Sequence, residues 1–521
     1  MEGAGGDEME MCESPPPPGG KPQAARSPIS APTGGLAALR AREVGGGPRR
    51  WTAGGFCASY RGSKALVQRL ELSCVHNWHD GCVNTVHFTE SGRKLISGSD
   101  DLSICIGDWQ QQRDDDEIPK SIFSYPSGHV NNVFQAKTMP HSNEGTIVTC
   151  AADGQVRVAV VSGGGVTDSR LLANHRGRAH KLAIIPSDAN MFLSTGEDGV
   201  VHQLDLRESN PAKAILRLIR PNRCGPSVLG LNCISLNPVN ENEFCVGGDD
   251  KYVRVYDRRR ISDTRSTDPV CKFYPSHMTD AKHITCTAYS CYGNEILATY
   301  SEEDIYLFKN TGSATPGEYV RRYSGHINER TVKGVNFFGS RSEFVVSGSD
   351  CGHLFFWDKA SGDVLQMLKG DEDVVNCLEP HPHMAVMATS GIDSNIKIWT
   401  PTALAAPDKE KLERQLANNK RQSSEPGLAA RSLFFSLPAW MSRDGHLPQF
   451  MIAGESDDDD DNDDDEEEHE MEVVSGASGS EDDEERSDDD DDDDDDDDEW
   501  EEELEDDDEC EDDDESDDDD D

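Results

Sequence analysis

The sequence predicts an all-β fold: a seven-bladed β-propeller with a disordered N-terminal arm and a disordered acidic C-terminal tail. One theme recurs seven times, an apolar strand, a turn of small and acidic residues, and a second alternating strand. The turn position is held in succession by Asp101, Asp153, Asp198, Asp250, Glu302, Cys351 and Asp393. The mean period is about 49 residues, a little above the roughly 40–45 of a repeat that folds as one four-stranded blade. A further strand precedes each unit, as in "GCVNTVHF" and "VVNCLEPH", which brings the count to four strands per repeat. One blade cannot bury both faces alone, whereas neighbours in a closed ring cover each other and remove free sheet edges.

The chain therefore divides into four parts. Residues 1–50 are rich in Gly, Pro and Ala and bury little, so they read as a disordered arm. Within it, Gly35–Glu43 has helical composition. Residues 67–400 form the propeller, with the second and fifth repeats the weakest matches to the theme. Long connections such as Arg207–Val228 are expected to absorb the excess over the standard period. Residues 401–454 are a linker holding a helix-favouring segment, Asp408–Gln422, whose Leu412 and Leu416 stand one turn apart, and an apolar patch, Arg431–Arg443. Residues 455–521 are the tail.

Charge follows the same division. The net charge of -52 looks extreme until it is located: Glu455–Asp521 holds 49 of the 101 Asp and Glu and one of the 49 Lys and Arg. The rest of the chain keeps 52 acids and 48 bases, a net charge of about -4. Like charges repel and little apolar area is available, so the tail does not fold alone. Dense Asp and Glu attract histones and other basic proteins and repel nucleic acid. No run of 18 apolar residues suggests a membrane span, and the N-terminal stretch lacks the basic and apolar regions of a signal peptide. The 15 cysteines are scattered without a C-x-x-C pair, which fits core thiols in a reducing compartment.

Catalytic patterns are lacking. There is no phosphate loop, zinc helix or nucleophile elbow, and "HPH" at His381–His383 reads as a polar turn. We expect no catalytic residue, no metal site and no cofactor, and read the chain as a binding platform. In the turns, an Asp is expected to accept hydrogen bonds from backbone amides and from a nearby His or Ser. Glu302 substitutes partly, and Cys351 does not accept a comparable charge-assisted bond. The closing residue of the third strand is Leu204, Tyr256, Phe308, Trp357 or Trp399, and Gly107 in the first repeat departs from this pattern.

Arg207 and Arg259 occupy the same place in consecutive repeats, two residues beyond Asp205 and Asp257. Equivalent positions emerge on one face of the ring, with Arg258 and Arg260 adding charge. Two readings stay open for these arginines. Each pairs with its Asp and ties down the turn, or each offers its planar fork to a partner.

The segments "LDLR" (Leu204–Arg207) and "YDRR" (Tyr256–Arg259) resemble the W-D-x-R ending of WD repeats in substrate receptors of cullin-4 ubiquitin ligases, with Leu or Tyr in place of Trp. Across Val67–Trp399, "SGSDDL", "NNVFQAK", "DGQVRVA", "SEFVVSGSDCGH" and "VVNCLEPHPH" resemble the family of cullin-4-associated factor 8. The resemblance implies a seven-bladed WD-repeat β-propeller acting as a non-catalytic receptor. Leu204, Asp205, Arg207, Tyr256, Asp257 and Arg259 would bind the adaptor, the large subunit of damaged-DNA-binding protein. The chain would thereby join the cullin-4 complex and hold an unknown protein substrate for ubiquitination. A different class of function is a chromatin or histone-binding scaffold working through the tail. Ser456, Ser480, Ser487 and Ser516 precede acidic runs and resemble substrates of casein kinase II. Nucleus and cytoplasm are the expected compartments.

Overall fold

The computed structural model describes residue 58 and residues 60–111, 122–162, 165–222, 225–261, 268–312 and 317–422. The N-terminal arm, the segments Gly35–Glu43 and Arg431–Arg443, and the acidic tail with its four serines lie outside the described residues.

Alternating apolar and polar residues form strands here because one side of each strand meets the next blade. Blade 1 comprises Val83–Phe88, Lys94–Ser99, Ser103–Asp108 and Phe123–Pro126; blade 2 spans residues 133–174. Blade 3 comprises Ala179–Ile184, Met191–Gly196, Val200–Asp205 and Ala212–Arg217. Blade 4 comprises Leu231–Leu236, Glu243–Gly248, Asp250–Asp257 and Cys271–Phe273. Blades 5 and 6 span residues 284–323 and 335–369. The second and fifth repeats, the weakest in sequence, are complete four-stranded blades.

Blade 7 closes the ring. Val375–Pro380, Met387–Gly391 and Ile396–Thr400 supply three strands, and the fourth is Glu71–His76, which precedes blade 1 in the chain and pairs antiparallel to Ile396–Thr400. Closure thus joins two segments more than 300 residues apart, and no lone edge strand remains where the ring meets itself. The short helix α1 (Lys64–Val67) leads into this strand, and Lys64 Nζ lies 2.9 Å from Asp358 Oδ2 in blade 6.

The first strands of successive blades contact one another and line the centre. Between blades lies the core. Leu193, Val201 and Leu216 of blade 3 pack with Phe244, Val246 and Tyr256 of blade 4; each large side chain buried this way contributes roughly 1.5–3 kcal/mol. The stretch expected as a long connection, Arg207–Val228, instead holds the fourth strand of blade 3 and an added hairpin, Ile219–Asn222 with Gly225–Val228. Gly107 has a physical reason: a Cβ there would meet the Trp78 ring at 2.9 Å. The ring fills the space that the closing aromatic takes elsewhere.

The turn acids behave as expected in three blades. His79 Nδ1 lies 2.9 Å from Asp101, His129 Nδ1 3.1 Å from Asp153 and His175 Nδ1 2.9 Å from Asp198. The other ring nitrogen meets Ser97, Thr149 or Ser194 on the second strand. Burial pushes the Asp101 carboxyl up, but bonds from Ser103 and His79 outweigh it and hold it below the usual range.

Later blades use other solutions. In blade 6 the neighbouring Asp350, not Cys351, accepts the amides of Glu329 and Arg330, at 2.6 and 3.0 Å, and pairs with the fully buried Lys333. Cys351 Sγ instead receives Asn419 Nδ2 at 3.2 Å from helix α2 (Lys409–Gln422). That helix is capped by Asp408 and sets Leu412 and Leu416 against Phe355, Trp357 and Met367. In blade 7, Asp371 stands where the first three blades have His. It accepts Lys397 Nζ at 2.6 Å and the Asp393 amide at 3.1 Å.

Candidate functional site

In an antiparallel blade the first–second and third–fourth connections lie at one end and the second–third turn at the other. Arg207 and Arg259 follow the third strands of blades 3 and 4, so both stand at the end of the ring opposite the turn acids. The local geometry is the same in each blade. Leu206 N donates to Asn190 O at 3.0 Å, and Arg258 N donates to Asn242 O at 2.8 Å. Each bond ties the third–fourth connection to the residue just before the second strand.

Asp205 Oδ1 accepts Arg207 N at 3.0 Å and Nε at 2.8 Å, and its Oδ2 accepts Nη2 at 2.6 Å. Asp257 holds Arg259 identically, at 3.0, 3.0 and 2.8 Å. These bonds keep both carboxyls below their ordinary range. Both guanidiniums are nevertheless open to solvent, with side chains 59% and 64% exposed. The clamp uses Nε–H and one Nη2–H, leaving three N–H groups on each arginine unbonded among the described residues. The two readings of these arginines are thus compatible: pairing with Asp fixes the fork, and the fork still has donors to offer. Ordering before contact lowers the entropic cost of binding. Leu204 and Tyr256 are 0% and 1% exposed, so they anchor the strand from below.

Several contributors had no clear sequence signal. Arg258 is half-buried and crosses to blade 3, where its Nη1 lies 3.5 Å from Gln203 Oε1, while Nη2 reaches Asn242 Oδ1 at 3.4 Å. Burial lowers its pKa against the opposing fields of Glu241 and Asp188. Asp188 also acts on Arg207, so one carboxylate serves both blades. Ser187 of blade 3 donates through its backbone N to Glu241 of blade 4 at 3.2 Å, and its hydroxyl meets the other oxygen of that carboxylate. From blade 2, Arg170 Nη2 donates to Leu206 O at 2.7 Å. A signal was present in part: Asn190 and Asn242 recur at one repeat position, which marks the two loops as equivalent. Arg260 is exposed.

Other candidates resolve as structure. His381 Nε2 meets Gly92 O at 2.9 Å and His383 Nε2 meets Glu90 O at 2.8 Å, so "HPH" staples blade 7 to blade 1. His175, Asp198 and His202 bring three ligand-type atoms within 4.8 Å. Both nitrogens of His175 are already engaged, and burial beside His175 pushes His202 down to about 4. The eleven described cysteines are free thiols. No described helix is long and apolar enough to cross a membrane.

Blades of this construction, offering polar side chains from their connecting loops, define a WD-repeat β-propeller protein. The family model described as "WD domain, G-beta repeat" matches residues 71–108, 317–358 and 362–400. Each match joins the outer strand of one blade to three strands of the next, which is how the repeat interlocks the ring. The human "DDB1- and CUL4-associated factor 6" is 33% identical over 266 residues, covering 48% of this chain and 29% of that protein. The Arabidopsis thaliana "Protein ALTERED SEED GERMINATION 2" is 31% identical over 289 residues, covering 49% and 37%. The human "WD and tetratricopeptide repeats protein 1" is 21% identical over 633 residues, covering 71% and 91%. The chain spans about a third of the length of the first two. By fold the chain is a WD-repeat protein, and over about half its length it is similar to a DDB1- and CUL4-associated factor.

Proposed function

We propose that this chain is a substrate-recognition subunit of a cullin-4 ubiquitin ligase, docking to the large subunit of damaged-DNA-binding protein through Arg207 and Arg259. The observation that carries the reading is the repeated geometry: two exposed arginines, each clamped by the Asp two residues earlier, at equivalent places on adjacent blades. A relative named for association with that adaptor and with cullin-4 supports the choice of partner. The chain performs no bond chemistry in this role. It holds a protein substrate near the ligase's loaded enzyme, and the rate gain comes from proximity. Nucleus and cytoplasm both suit it.

Replacing Arg207 and Arg259 together by Ala tests the docking. A charge-assisted hydrogen bond is worth about 1.5–3 kcal/mol, so losing both arginines weakens the adaptor by roughly 10²–10⁴-fold. Co-purification of the adaptor should vanish while the thermal midpoint stays put. Undiminished capture by a folded double variant would overturn the assignment.

A further inference from the structure

The centre of the ring is a cavity of about 530 Å³ lined by the first strands of all seven blades. At one level blades 7, 1 and 2 present Glu379, His87 and Lys137, while blades 3 to 5 present Ala183, Ser235 and Ala288. Two residues earlier on the first strand of blade 3 stands Lys181, on the same face of its strand and in the same cavity.

Two lysines, Lys137 and Lys181, and two acids, Glu379 and the solvent-exposed Glu90, line this space. The one acid at this level, Glu379, is taken: its Oε1 lies 2.9 Å from His87 Nδ1, and His87 Nε2 lies 3.4 Å from Thr138 Oγ1. Neither Lys137 Nζ nor Lys181 Nζ has a hydrogen bond or ion pair among the described residues. Burial pushes the Lys137 ammonium below its ordinary range; Glu379 opposes this, and the like charge of Lys181 adds to it. Elsewhere in this ring an enclosed lysine is matched, as Lys333 is by Asp350 and Lys397 by Asp371 and Asp393. Two ammoniums that line one cavity without an ion pair repel each other, and an anion between them relieves that repulsion.

We propose that the central cavity is a binding site for a phosphate group, held between Lys137 and Lys181. A phosphomonoester carries about -1.5 to -2 charge near neutral pH and three acceptor oxygens, which balances two ammoniums at once. A single carboxylate would leave one of them unmatched. Asn336 on blade 6 lines the same cavity with its side-chain amide nitrogen unbonded among the described residues, which adds a donor from another side. The group enters either as free phosphate or a small phosphomonoester, or on a phosphorylated side chain. The inference does not depend on adaptor docking, which uses the loop arginines.

Calorimetric titration of the full chain with inorganic phosphate, at ionic strength held constant with chloride, tests it. Saturable binding at one site per chain is expected. Lys137→Met and Lys181→Met should each weaken it about tenfold or more, the loss of one charge-assisted contact. The Arg207→Ala, Arg259→Ala double variant should bind phosphate as the parent does, which separates this site from the docking face. Each Met keeps the bulk of the side chain and removes a repelling charge, so both variants should melt no lower than the parent without phosphate. Competition then identifies the source: displacement by a phosphoserine peptide but not by its unphosphorylated twin assigns a protein-borne group, and failure of both assigns a small molecule. No saturable heat with phosphate, or heat unchanged in both Met variants, overturns the proposal.

Discussion

Asp371 gives blade 7 a stability that depends on pH. Where blades 1 to 3 place a histidine against the turn acid, blade 7 places Asp371 against Asp393, with Lys397 bridging them at 2.6 and 2.8 Å. Burial and the neighbouring Asp393 push the Asp371 carboxyl up to about 7, whereas Asp393 is held below its ordinary range. The folded state therefore binds a proton that the unfolded chain releases near pH 4. This stabilisation is fully present below pH 4 and is lost as pH rises through 7. Between pH 5 and pH 7 the loss is about 2 kcal/mol by linkage. The Asp393 contribution falls below pH 4, outside that window. Asp371→Asn removes the titration while its amide nitrogen still donates to Asp393 as the protonated acid does. An unfolding entropy near 2.1 cal/mol/K per residue, over about 330 residues of propeller, converts this to about 3 °C. The assay is the thermal midpoint of parent and variant at pH 5, 6 and 7. The parent should lose about 3 °C relative to the variant across that range, and midpoints that move in parallel would refute the reasoning.

Two other outcomes follow from particular residues. His326 of blade 6 is buried with neither ring nitrogen bonded among the described residues, and burial pushes it down to about 3; His326→Phe should raise the midpoint by about 1.5–4 °C, since an unmet buried polar group costs roughly 1–3 kcal/mol, and a midpoint lowered by as much would contradict this. Deleting Glu455–Asp521 removes 49 of the 101 acidic residues; histone binding at low salt should be lost while adaptor co-purification persists, and histone binding that survives the deletion would sink a tail-driven scaffold.

The number of blades was legible because repetition writes the same strand, turn and strand seven times, and the period alone selects the architecture. Asp101, Asp153 and Asp198 could be assigned partners from sequence, since each of these repeats carries a histidine 22 to 24 residues before the turn acid. Blades 6 and 7 could not be read that way. An insertion ahead of the first strand in blade 6 hands the role of the turn acid to Asp350, and Asp371 breaks the histidine pattern outright. Arg207 and Arg259 were legible as equivalent residues. That each is both clamped and exposed was not, because exposure depends on what the neighbouring blades place over the loop.

By itself, the sequence determined what is local and periodic: strands, turns, the count of blades, the pair of Asp-x-Arg loops, and the separation of a nearly neutral body from an acidic tail. Only the tertiary structure decided what depends on distant residues meeting. Glu71–His76 closes blade 7, α2 covers the altered turn of blade 6, Arg258 leaves the exposed pair to bridge two blades, and Lys137 and Lys181 face one cavity without an ion pair. The physical reason is that hydrogen-bonding period and turn chemistry act over a few residues, whereas burial and charge balance are set by neighbours that only ring closure brings together.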